Sequence, residues 1–150
     1  MFSRAGQAVC LLKYVADARI DLTDVEEPWQ ACVAAVQEFL VGSPDGSNLP
    51  TPTDAVEWDD EVVSWMLSGG IYRHQAHRGG PSHDPRPVRA IDLLRRAHAL
   101  LGTLVPSTKV SRDLASRISK FLDAAPEDVR IDPSGFFDYR EACRDWIKEF

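Results

Sequence analysis

The residues with chemical promise are concentrated in one stretch, IYRHQAHRGGPSHDPRPVR at positions 71–89. It holds three of the four histidines in the chain, together with four arginines, a tyrosine and an aspartate. Imidazole titrates near neutral pH, so His74, His77 and His83, with Arg78, make a candidate acid–base set. Arg73, Arg78, Arg86 and Arg89 make a candidate anion clamp, because a guanidinium grips phosphate through two parallel hydrogen bonds. Tyr72 could stack on a nucleobase. A metal is the third chemistry: His74 and His77 stand at i,i+3, and His83 with Asp84 would complete a shell of the kind zinc accepts. Against it, no glutamate follows His74 to give an HExxH pattern, and four arginines repel a cation. The cysteines do not help. Cys10, Cys32 and Cys143 lie far apart on helical segments and read as core or boundary thiols. No cofactor is expected.

Arg78 and His83 have a spacing that resembles the arginine–histidine pair of HEPN-class helical ribonucleases. Gly79, Gly80 and Pro81 lie between them, whereas that motif belongs at a helix end, so the chain is assigned to no family. The plain alternative is a solvated loop whose arginines pair with acidic residues elsewhere. Charge is segregated in a way that allows this. Residues 1–70 carry a balance of −9, residues 71–120 a balance of +7 and residues 121–150 a balance of −4, for a net charge of −6. That overall acidity opposes non-specific binding to nucleic acid.

The acidic first part has its own pattern. Placed on a helix from Thr53, the residues up to Ser68 separate into two arcs. Trp58, Val62, Trp65, Met66, Val56 and Val63 fill a wide apolar arc. Asp54, Glu57, Asp60 and Glu61 fill the opposite one with Ser64 and Ser68. Asp59 falls inside the apolar arc, which predicts a buried cation as its partner or a place at the edge. A dense carboxylate face attracts basic partners and speeds association. Asp54, Glu57, Asp60 and Glu61 are therefore the candidate partner-binding residues. All four tryptophans fall on apolar stripes and are expected in the core.

These side chains need a scaffold, and the periodicity predicts about six helices. The first runs from a cap at Ser3 to about Ile20, with Lys13 and Asp17 as an i,i+4 pair on its wet face. The second starts near Pro28 and stops at Gly42. The third is the two-arc helix, ended by Gly69-Gly70. The fourth follows Pro87, with Ile91, Leu94, Ala97 and Leu101 inward and Arg89, Asp92, Arg95 and Arg96 outward; His98 sits at the edge of its apolar arc. The fifth spans about Thr108 to Ala124 with an Asp113–Arg117 pair. The sixth opens on an Asp138–Glu141 capping box, with Phe137 as staple, and carries Tyr139, Cys143, Trp146, Ile147 and Phe150 on one face. Residues 43–53 and 71–87 read as long loops, the first the main candidate for disorder. The one strand-like piece is Val129–Ile131.

The fold class expected is therefore all-α, a single-domain irregular bundle over residues 1–150. At 44% hydrophobic and 27% charged, the chain is too apolar for wholesale disorder. Three cysteines cannot all pair, which argues against a secreted disulfide scaffold. Charges at Lys13 and Asp17 interrupt the apolar N-terminal stretch, so no cleaved signal is expected, and no run approaches the ~20 apolar residues of a membrane span. No GxGxxG, P-loop, GxSxG or EF-hand pattern occurs. These absences lean away from an enzyme. The function expected is that of a small acidic cytoplasmic protein that binds another protein with a basic surface, as an inhibitor, immunity-type or anti-defence factor does. The alternative is a nucleic-acid or phosphate-directed enzyme or binder using the Arg/His segment. Oligomeric state is left open by the sequence.

Overall fold

The computed structural model describes residues 2–18, 26–68, 85–103, 108–127 and 138–150. Of these, 76% are helical and none is in a β-strand. Six helices stand among them: α1 (Arg4–Asp17), α2 (Glu26–Leu40), α3 (Pro52–Ser68), α4 (Arg86–Leu101), α5 (Lys109–Leu122) and α6 (Tyr139–Ile147). The all-α bundle that the periodicity predicts is the observed architecture. Helix α4 lies at its centre and touches each of the other five. Its Val88, Ala90, Ile91, Leu94 and Ala97 are fully buried. Burial of a large aliphatic side chain of this kind contributes about 1.5–3 kcal/mol, so this helix anchors the core.

The helix ends follow local side-chain chemistry. Ser3 caps α1, its hydroxyl accepting from the Gly6 N–H. Gly42, with φ at +84°, lets the chain turn away from α2 in the left-handed region that glycine tolerates. Thr108 and Ser111 satisfy each other's backbone N–H groups at the start of α5. Asp138 caps α6 by accepting from the Arg140 N–H. Helix α3 begins earlier than predicted. Thr51, not Thr53, takes the Asp54 N–H, and its hydroxyl donates back to the Asp54 carboxylate at 2.8 Å. Pro52 then occupies the first helical position, where its missing N–H costs nothing. Helix α4 likewise begins one residue before Pro87, and α1 ends at Asp17 rather than near Ile20.

Several sequence expectations are corrected by packing. The 43–53 segment is shorter as a loop than expected: its last two residues belong to α3, and the Trp58 indole N–H donates to the Pro44 carbonyl at 3.2 Å. Gly46 makes this possible, since a Cβ there would sit 2.7 Å from the indole ring. Asp45 accepts from the Ser47 N–H, which holds its carboxyl below the usual range. Asp92 and Arg95 do not simply face water. The buried Tyr139 hydroxyl accepts from Arg95 at 2.9 Å and contacts Asp92 Oδ1 at 3.4 Å, while Arg95 also donates to the Pro126 carbonyl. Three residues predicted for apolar faces are less covered than expected. Val56 is 60% and Phe150 70% exposed, and Trp65 is half-buried. Phe150 is exposed because α6 ends at Ile147. The tail is nonetheless held: the Arg4 N–H donates to the Glu149 carbonyl at 2.7 Å and Arg4 pairs with the Glu149 carboxylate. Phe137, Val129–Ile131 and most of the 71–87 loop lie outside the described residues.

Candidate functional site

Helix α3 carries the candidate partner-binding residues, and its two faces are built differently. The inward face packs on α1 and α4 through Trp58, Val62 and Met66. Asp59 belongs to this face and is only 4% exposed. Its partner is not a buried cation but the N-terminus of α1. The Ser3 N–H donates to both carboxylate oxygens at 3.1 Å, and the Ser3 hydroxyl donates to Oδ1 at 2.9 Å. The partial positive charge at a helix N-terminus adds to these bonds. Gly6 leaves room for the carboxylate, since a Cβ there would lie 2.2 Å from Oδ1. Asp59 is thus a structural tie between α1 and α3.

The outward face is free of such ties. Glu57, Asp60 and Glu61 are exposed, and among the described residues no ion pair or hydrogen bond engages their carboxylates. Glu57 stands four residues before Glu61 and three before Asp60, so like charges are neighbours on the helix surface, at a cost of about 0.2–0.5 kcal/mol per pair. Asp54 differs from the other three. It is half-buried, and its carboxylate is already bonded to Thr51. Val56 borders the carboxylates as an exposed apolar side chain.

Of the Arg/His segment, only its last part is described. His74, His77, His83, Asp84, Arg73 and Arg78 lie outside the described residues, as does Tyr72. Arg86 is committed to α3: it donates to the Trp65 carbonyl at 2.7 Å and its guanidinium stacks on the Trp65 ring at 4.4 Å. It thereby satisfies a carbonyl in the last turn of α3, where a cation also meets the negative end of the helix. Arg89 is half-buried on α4. His98, on the same helix, is half-buried as its edge position predicts. Among the described residues no group of three or more histidine, cysteine or acidic side chains is placed to hold a metal. Cys10, Cys32 and Cys143 form no disulfide; burial pushes Cys10 and Cys32 above the usual thiol range, which makes them poor nucleophiles. No helix among the described residues is long and apolar enough to cross a membrane.

One surface escaped the sequence reading. An open groove of about 670 Å³ runs between α1 and α5, continued by a second depression of about 260 Å³. Tyr14 and Arg117 line both. The predicted Asp113–Arg117 ion pair is not formed; the Arg117 guanidinium lies over the Tyr14 ring at 5.5 Å instead. A ring and a cation from distant helices leave no periodic signal, so only the exposed, unpatterned Tyr14 could have hinted at the groove. The chain matches no protein-family model, no curated protein and no solved structure. Its own residues therefore carry the functional argument.

Proposed function

We propose that this protein is a non-enzymatic binding module, and that the outward face of α3 docks on a basic surface of a partner protein. Glu57, Asp60 and Glu61 are the contacts, with Val56 as the apolar residue at their edge. The carrying observation is a local cost without a return among the described residues. Three like charges crowd one exposed arc, and no cation among the described residues engages them. Sequences break such local rules mainly where function demands it. A basic partner removes the repulsion on docking and is steered to the site by the same field. Asp54 contributes to that field but is held by its cap, so it is a weaker contact than the other three. An inhibitor or immunity-type role, in a cytoplasmic setting, is the form of this activity that the charge pattern favours.

The test is a pull-down at about 0.15 M salt, where screening removes loose charge contacts. Wild type and the triple variant Glu57→Lys/Asp60→Lys/Glu61→Lys are compared, with mass spectrometry of the retained proteins. The expected result is one basic, stoichiometric partner that the triple variant no longer retains while its circular dichroism is unchanged. Equal retention by both proteins overturns the proposal. Co-purifying nucleic acid that survives the triple variant moves the function to the Arg/His segment instead.

A further inference from the structure

The groove between α1 and α5 has the pattern of a helix-packing seam that no helix among the described residues fills. On α1 its lining residues include Gln7, Leu11, Tyr14 and Ala18, spaced four, three and four apart. On α5 and the turn that follows it they include Val110, Leu114, Arg117, Phe121 and Ala124, spaced four, three, four and three apart. This alternation keeps one face of a helix turned toward a packed neighbour. The start of α1 lines the groove with the end of α5, and the end of α1 with the start of α5, so the two helices run antiparallel. A helix of 14 residues makes the groove about 21 Å long. Of the large apolar side chains that are more than half exposed, Tyr14, Val110 and Phe150 all line it.

Charge along the groove is polarised. Asp17 and Asp113 stand at the end formed by the close of α1 and the start of α5. Lys120 and Arg4 stand at the other, where Arg4 is paired with Glu149 and Asp123 lies at the margin. Arg117, stacked on Tyr14, marks the middle. A surface that is apolar along its length, with Asp113 and Lys120 on opposite sides of its middle, is complementary to itself when reversed.

We propose that this face is a homodimer interface: two copies of the chain pack α1 and α5 against each other about a two-fold axis that crosses the groove near Tyr14 and Arg117. The Asp113 end of each copy then meets the Lys120 end of the other. Asp113 and Lys120 stand seven residues apart on one face of α5, on opposite sides of Arg117, so about an axis beside Arg117 Asp113 of one copy faces Lys120 of the second copy, and the contact occurs twice. Helix α3 does not line the groove, so the dimer carries two acidic faces and gains avidity for a partner with repeated basic sites. This inference stands whether or not the α3 face binds a partner.

Sedimentation equilibrium from low micromolar to near-millimolar concentration tests it. Wild type is expected to show a concentration-dependent dimer. Asp113→Lys sets like charges together at two places and weakens dimerisation by about tenfold or more. Asp113→Lys/Lys120→Asp restores it. Within one helix these residues are about 10.5 Å apart, so their coupling reports contact between copies. Both side chains are exposed, and thermal melts followed by circular dichroism are expected to match wild type. A monomer throughout the range overturns the proposal. So does a dimer that Asp113→Lys leaves intact, or a double variant as weak as the single one. A monomer whose groove takes up an amphipathic peptide also overturns it, by giving the groove a different occupant.

Discussion

Asp59 and Asp60 are adjacent in sequence and about 100° apart around α3, and they do opposite work. Asp59 is buried, accepts three hydrogen bonds from Ser3 and fixes α1 against α3. Asp60 is exposed and engages nothing among the described residues. The difference shows that a carboxylate acquires its role from what lies opposite it. One faces the N–H groups of another helix, where its charge is neutralised by geometry. The other faces water, where its charge is available to a partner. Arg86 and Arg117 repeat the contrast among the cations. The first is locked between the Trp65 ring and a helix-end carbonyl, and the second rests on an exposed ring at a groove.

The sharpest way to break the comparison is Asp59→Ala. It leaves the Ser3 N–H and hydroxyl without their buried acceptor. The expected loss is about 3 kcal/mol, a drop in Tm of roughly 10 °C by calorimetry. On the other face, the triple reversal of Glu57, Asp60 and Glu61 is expected to weaken partner binding about a hundredfold by isothermal titration. Its effect on stability is about 0.5 kcal/mol or less per site. A Tm that falls as far as in Asp59→Ala would erase the distinction between the faces.

Gly6→Ala probes the inner face from the other side. The added methyl collides with the Asp59 carboxylate, and the expected cost is about 2 kcal/mol in urea unfolding. Combined with Asp59→Ala, that cost shrinks, because the two changes share one contact.

The smallest effect is at a second buried polar tie. Tyr139→Phe removes the hydroxyl between Arg95 and Asp92, for about 1 kcal/mol. Burial, helped by the neighbouring Cys143 and Asp92, raises the Tyr139 phenol well above its ordinary value of 10.0. A raised folded pKa means that the folded state holds this proton more tightly than the unfolded one. The resulting stability is complete below about pH 10 and is lost as pH climbs beyond it. Unfolding at ~pH 8 and ~pH 11 checks the sign: the alkaline loss is expected to be smaller in Tyr139→Phe than in wild type.

How much of this was legible depended on range in sequence. Ser3, Thr108 and Asp138 act within three residues of themselves, so their capping roles could be read from local order. The outer arc of α3 was legible for the same reason. Glu57, Asp60 and Glu61 are exposed because helical periodicity puts them opposite Trp58 and Met66. Thr51 was missed because two threonines flank Pro52, and either could cap. Asp59 was recognised as misplaced, but its partner lies 56 residues away and is a backbone group common to every helix start. The groove was illegible: its apolar stripes on α1 and α5 look like core stripes until the bundle leaves part of them uncovered.

The sequence by itself determined the six helices, several of their caps and the sign of each face, because these depend on dihedral preferences, 3.6-residue periodicity and capping within one turn. Tertiary structure alone decided which faces are used up. It joined Asp59 to Ser3, Arg86 to Trp65, and Asp92 and Arg95 to Tyr139. It left Glu57, Asp60, Glu61 and the α1–α5 groove open. The physical reason is that amphipathicity says a face must be covered or wet, while only the packing of all the helices together fixes which neighbour, if any, covers it.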